Sequence, residues 1–183
     1  QVSPESHPDY FKTDNSKKAY WINVYNALIL KIMIDNPGKN ILDIGLIGPE
    51  IFLKKFKVGG NKISPHFIEH KLLRKMDDPR IHFAINCASK SCPPLGNRIL
   101  RENSLDQQLE EKTIKFINDD SHVFIDHNKN TIYLNKIFKW FKKDFGDVRM
   151  YITAYLKGNI KYDSIKNYKI KYFEYDWNKN SSK

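Results

Sequence analysis

Between Ser16 and Asn36 the chain reads SKKAYWINVYNALILKIMIDN, apolar for most of its length and then stopped by Asn36-Pro37-Gly38. Such a run predicts one long helix with Ser16 as its N-cap, too apolar to keep a broad solvated face, so the rest of the chain has to fold around it. The material is there: 183 residues, 40% hydrophobic and 13% aromatic, are enough for one sizeable core and too few for two independent ones. Aromatic residues run from Tyr10 to Trp177 without a long linker, which predicts a single domain over 16–178. The polar, turn-forming ends, 1–15 and 179–183, are expected to be loose.

Past the long helix, β-rich segments flank Gly59-Gly60-Asn61 within 51–64 and predict a hairpin. Ser64 then caps a helix with Pro65 at its first position, running to Asp78-Pro79. A short strand, IHFAIN, follows, and then a loop over 87–98. The stretch SLDQQLEEKTIKFIND predicts a helix with Ser104 and Gln107 at capping-box spacing. A second hairpin is expected around Asn128-Lys129-Asn130, then two helices in 135–160 and a closing strand in YKIKYFEYDW. Helices and antiparallel hairpins without regular βαβ alternation predict an α+β fold.

The formal charge of +10 invites an anionic partner. The basic residues are mostly lysines interleaved with inward-facing apolar positions, as in Lys139, Lys142 and Lys143, so a solvated face is the expectation and nucleic acid is not the expected partner. No apolar run approaches the ~20 residues that span a bilayer, and no signal peptide is visible. Two cysteines five apart make neither a disulfide scaffold nor a zinc site by themselves, although a Cys87–Cys92 bridge across a turn stays open.

Three places gather chemistry-bearing residues. In HFAINCASKSCPPL, 82–95, an extended segment would put His82, Ala84 and Asn86 on one side and Cys87 on the other, out of easy reach of His82. The small residues after Cys87, with Ser89 and Ser91 among them, permit a tight turn. A thiol beside unpaired turn amides is what an acyl-transfer nucleophile with an oxyanion pocket requires; an inert buried thiol is the plain alternative. His66 and His70 stand at i and i+4 with Glu69 between them, the His-x-x-Glu-His order in which two imidazoles can share a zinc and a carboxylate acts as base. Asn23 and Asn26 interrupt the apolar helix on neighbouring positions. Buried amides must find partners, so each anchors a neighbouring backbone or, more sharply, orients an imidazole or an oxyanion.

Five blocks, YWINVYNAL (20–28), the GG-x-x-IS to IEHKLLR run (59–74), DPRIHFAINCASKSCPPL (78–95), IFKWFKKDFG (137–146) and YDW (175–177), together resemble the domain of unknown function 547 family in the same order. The resemblance implies an exported bacterial protein, hence an extracytoplasmic location, and a papain- or transglutaminase-like thiol enzyme as a conjecture about fold. It centres the helix block on Glu69-His70 rather than His66, which turns the reading away from zinc. It keeps the cysteine of Cys87 while that of Cys92 is replaceable by serine, which favours Cys87 as nucleophile over an essential bridge. Trp21, Asn23 and Asn26 match its amide-bearing block.

The expected function is therefore a thiol-dependent hydrolase or acyltransferase acting on an amide or ester. In it Cys87 attacks, His70 takes the proton, Glu69 or Asn26 holds the imidazole, and amides of the 88–91 turn stabilise the oxyanion. Binding positions are expected at Trp21, Asn23, His82, Asn86, Ser89 and Ser91. No cofactor and no metal are expected; the partner is a small molecule, peptide or glycan. Two alternatives stay beside it: a non-catalytic peptide- or glycan-binding module built on a Glu-His-Asn-Cys polar hub, and a zinc hydrolase using His66, Glu69 and His70.

Overall fold

The computed structural model describes residues 2–44 and 49–180. Helix α1 spans Asp14–Ile34. It begins before the expected cap because Thr13, not Ser16, closes its end: Thr13 Oγ1 accepts from the Ser16 amide at 3.0 Å and Ser16 Oγ accepts from the Thr13 amide at 3.3 Å. Trp21, Ile22, Tyr25, Ile29 and Ile32 are buried along it, and Ile68, Leu73, Leu105 and Leu109 pack into the same cluster. One charge is carried inside: Lys18 Nζ lies 2.6 Å from Asp78 Oδ2, and Arg80 grips the same carboxylate through Nε at 2.9 Å.

Strands β1 (Phe56–Val58) and β2 (Asn61–Ile63) form the first antiparallel hairpin. Its turn uses positive φ at both Gly59 and Gly60. Ser64 Oγ accepts from the Phe67 amide at 3.2 Å and starts α2 (Pro65–Phe67), as expected from Ser-Pro. The helix then widens into a π-turn over Ile68–Leu72 and tightens to a 3-10 turn over Leu73–Met76, ending at left-handed Asp77.

The strand expected in IHFAIN is absent. Asp78 Oδ1 accepts from the Arg80 amide at 3.1 Å and Pro79 fixes the next φ, so Asp78-Pro79 starts a 3-10 turn, Pro79–Phe83, instead of only ending the preceding helix. At three residues per turn, successive side chains diverge by about 120°, not 180°. Ile81 and Phe83 therefore enter different core clusters while His82 points a third way.

Helix α3 (Leu105–Ile117) lacks the expected capping box. Ser104 Oγ donates to Gln108 Oε1 at 3.3 Å and Gln107 Nε2 to Glu111 at 2.8 Å. Strands β3 (Val123–Asp126) and β4 (Thr131–Leu134) form the second hairpin, and β5 (Lys169–Tyr172) joins β4 in parallel. Between β4 and β5, the chain makes α4 (Ile137–Trp140), α5 (Lys142–Phe145), α6 (Val148–Thr153) and α7 (Tyr162–Ile165), where two helices were expected. Phe83, Phe116, Phe138 and Phe145 form the second core cluster with this sheet.

The architecture is α+β in one compact domain. Its ends are more engaged than expected: Ser3 is fully buried under the Gly59 turn, and the Asn180 amide donates to Ala88 O at 2.8 Å. Among the described residues no helix is long and apolar enough to cross a membrane.

Candidate functional site

Cys87 follows the 3-10 turn in a loop that α1 holds by the side chain of Asn26. Asn26 Nδ2 donates to Ala84 O at 2.9 Å and its Oδ1 accepts from the Asn86 amide at 2.8 Å. Asn86 in turn donates to Pro93 O at 2.6 Å and accepts from the Ala88 amide at 2.7 Å, which bends the loop and places Ala88 at φ 65°. The far side is held by the C-terminal segment: the Lys90 amide donates to Asn178 O at 2.9 Å, the Ser91 amide to Asp176 O at 3.2 Å. The loop is thus fixed from both sides by groups distant in sequence.

These bonds correct two expectations. The amides of 88, 90 and 91 are engaged with Asn86, Asn178 and Asp176, so of the expected donors only the Ser89 amide is directed at the Cys87 sulfur. Asn26 is spent on backbone and does not hold an imidazole; the backbone-anchor reading is the one realised, and Asn23 likewise clasps Leu100 through N and O at 3.0 and 2.8 Å.

The Cys87 sulfur is half-buried, 3.1 Å from Ser89 Oγ and 3.4 Å from the Tyr175 hydroxyl. Its own amide donates to Cys92 Sγ at 2.9 Å, and both cysteines are free thiols here. The hydrogen bond from the Cys92 thiol, helped by Ser89 and Tyr175, outweighs burial and draws the Cys87 thiol down to about 6. Cys92, fully buried, is pushed up by burial and by the charge on Cys87.

A cavity of about 450 Å³ opens beside this thiol. Phe52, Leu53, Ile85 and Ile137 give it apolar walls, and Trp140, Phe141, Tyr175 and Trp177 an aromatic side. Trp140 and Trp177 stack at 5.6 Å, with Tyr175 within 4.7 Å of both rings. The titratable wall is Glu69, His70, His66 and His82.

The π-turn of 68–72 places Glu69 and His70 on this wall. Glu69 Oε2 accepts from the Tyr25 hydroxyl at 3.4 Å; burial, and next the nearby Cys87 charge, push its carboxyl up to about 7. His70 is in a different condition from the expected base. Arg74 Nη1 donates to its Nδ1 at 2.9 Å, which leaves the proton of the neutral ring on Nε2. Burial, then His66 and Arg74, lower His70 to about 4. No hydrogen bond joins His70 to Cys87. The rings of His66 and His70 lie 4.3 Å apart, but a guanidinium occupies one of the nitrogens a zinc would need, and among the described residues no group of three His, Cys, Asp or Glu is placed to hold a metal.

His82 is 2% exposed and lies on the same wall. Its Nε2 is 2.8 Å from Asp144 Oδ2, and Arg74 grips both oxygens of that carboxylate at 2.6 Å. Of the expected binding positions, Trp21 is core, and Asn23, Asn86 and Ser91 bond backbone groups of Leu100, Pro93 and Asp176 without lining the cavity themselves, whereas Ser89 touches the thiol and His82 lines the cavity. Reasoning from sequence assigned no role to Tyr25, Arg74, Trp140, Asp144, Tyr175 or Trp177. Each stands inside one of the five blocks, so the blocks themselves were the signal.

An α+β domain with a donor-supported thiol on the wall of an aromatic cavity is the class that fold and geometry define. The family described as Protein of unknown function, DUF547, matches residues 10–117, and the chain belongs to it. No curated protein and no solved structure matches the chain.

Proposed function

We propose that this protein is a thiol-dependent hydrolase or acyltransferase in which Cys87 is the nucleophile and Glu69, not His70, is its proton partner. The observation that supports it is the Cys87 thiol on the cavity wall, held by Ser89 and Tyr175, with a carboxyl that burial raises to about 7 on the same wall. The thiolate attacks the carbonyl carbon, forming a C–S bond. As the C–N or C–O bond breaks, Glu69 gives its proton to the leaving group. Water, or an acceptor hydroxyl or amine, then attacks the thioester, Glu69 takes the proton back, and the C–S bond breaks to restore the thiolate. The Nε2–H of His70, on the same wall, is the donor toward the oxyanion.

The test is acylation by p-nitrophenyl hexanoate followed by intact-mass and peptide analysis. The expected result is one hexanoyl group on Cys87, lost in Cys87→Ser and slowed in Glu69→Gln. Unlabelled Cys87, or labelling no faster than a free cysteine at the same pH, refutes the reading. The stacked Trp140 and Trp177 favour one other reading, a non-catalytic peptide- or glycan-binding module, for which the same experiment returns an inert thiol.

A further inference from the structure

The chain carries a formal charge of +10, yet among the described residues no lysine or arginine lines the cavity. The cations nearest in sequence to its wall are turned elsewhere. Lys54, after Leu53, lies over the ring of Phe56 at 5.6 Å, and Lys139, before Trp140, lies over that of Tyr172 at 5.6 Å. Lys136, before Ile137, is 2.8 Å from Glu174 Oε2, while Lys71 and Lys142 are exposed and line no part of the cavity. Arg74 lies against Phe141 at 5.2 Å from the ring centre and is held by Asp144 and His70. The acids on the wall, Glu69 and Cys87, add only negative charge. Burial leaves His70 and His82 uncharged near neutral pH, both lowered to about 4. The aromatic side is not arranged around a cation either: the rings of Trp140, Tyr175 and Trp177 close on one another at 4.7, 4.5 and 5.6 Å.

We propose that the site takes an acyl group with an uncharged, apolar body and excludes acyl groups that end in a carboxylate, with Leu53 a specificity-determining residue at the mouth. The proposal rests on the reading of Cys87 as nucleophile, and names the acyl group presented to it. With the acyl carbon at the thiol, the body of the group occupies the remaining space of about 450 Å³ against apolar and aromatic walls. A carboxylate carried there loses its hydration and meets no counter-charge, which is costly for any ion leaving water. Leu53 and Trp140 line the cavity and are 56% and 45% exposed, so both stand at its open edge. Leu53 is thus placed where a cation could have met the far end of an acidic chain, and a leucine there leaves that end unpaired.

Three probes that differ only at the far end isolate the charge: octanamide, suberamate, in which carboxylate replaces the terminal methyl, and 7-aminoheptanamide, in which ammonium replaces it. Each is titrated near neutral pH into the Cys87→Ser protein, so that no turnover intervenes, and followed by tryptophan fluorescence. Octanamide is expected to bind on the order of a hundredfold more tightly than suberamate and about tenfold more tightly than the ammonium probe. Leu53→Arg, at an exposed position, is expected to strengthen suberamate severalfold without strengthening octanamide, and Trp140→Ala to weaken octanamide. Suberamate or the ammonium probe binding as tightly as octanamide, octanamide failing to bind at millimolar concentration, or suberamate unmoved by Leu53→Arg overturns the proposal. Octanamide binding unchanged in Trp140→Ala places the ligand outside the cavity and overturns it too. Because binding is read without the thiol, a preference for octanamide beside an unreactive Cys87 would sink the catalytic reading alone, and a reactive Cys87 beside equal binding would sink this one alone.

Discussion

Arg74 holds His70 and Asp144 at once: Nη1 donates to His70 Nδ1 at 2.9 Å while Nε and Nη2 donate to the two Asp144 oxygens at 2.6 Å. A cation so close to an imidazole opposes its protonation. In Arg74→Met, the His70 pKa is expected to rise from about 4 toward the ordinary histidine value, followed by titration of its ring resonances in NMR. The same change removes charged hydrogen bonds from a partly buried carboxylate and is expected to cost about 1.5–3 kcal/mol in urea unfolding. An unchanged His70 titration would show that burial and the neighbouring His66, without Arg74, set its value.

Glu69 carries the opposite sign. Its folded pKa is raised to about 7, above the unfolded value near 4.5, so below 4.5 both states hold the proton and nothing is lost. As pH rises toward 7 the unfolded chain releases its proton first, and the wild type loses stability relative to a variant that cannot ionise. Glu69→Gln is therefore expected to gain about 2–3 kcal/mol over wild type between pH 4 and pH 8, read as the difference of paired urea curves. A flat difference would place Glu69 in a water-like setting.

Cys92 supplies the largest contribution to lowering Cys87, through its thiol hydrogen bond. In Cys92→Ala the midpoint of the pH profile for iodoacetamide labelling of Cys87 is expected to move up, toward that of a free cysteine. A midpoint that stays put would assign the lowering to Ser89 and Tyr175.

Asp78 is the carboxylate on which the interior of α1 depends. Burial raises its pKa, but hydrogen bonds from Arg80 and Lys18 outweigh this and leave it below the ordinary range. Its stabilisation is thus present above the unfolded carboxylate pKa and lost as pH falls through the lowered folded value. Asp78→Ala strands Lys18, whose side chain is 9% exposed, and is expected to cost about 3–5 kcal/mol in denaturant unfolding at pH 7.

Gly59 turns at φ 55°, and a Cβ built there would lie 2.2 Å from Ser3 Oγ. Gly59→Ala is expected to destabilise by about 1–2 kcal/mol, and Ser3→Gly in the same chain to recover only part, since relieving the contact leaves the left-handed backbone. Full recovery would mean that the contact alone requires glycine.

Much of the frame was legible because it depends on local chemistry. The buried α1, the Gly59-Gly60 hairpin, Ser64-Pro65 as a helix start and the α+β class each follow from patterns a few residues long. The strand expected in IHFAIN failed on local chemistry too: Asp78-Pro79 is as good a start as a stop, and an apolar run of that length does not choose between strand and 3-10 turn.

The sequence by itself determined which groups are reactive in kind, a thiol at 87 and a carboxyl–imidazole pair at 69 and 70, and it pinned the amides of Asn23 and Asn26 to some partner. Only the tertiary structure decided which neighbours each of them meets. It set Arg74 on the His70 nitrogen, turned Asn26 to the backbone at 84 and 86, and brought Asp144, Tyr175 and Trp177 from the far end of the chain to the cavity. The reason is that proton affinity and hydrogen-bond role depend on burial and on neighbours within a few ångströms, and those neighbours come from segments up to 88 positions away, as between Cys87 and Tyr175.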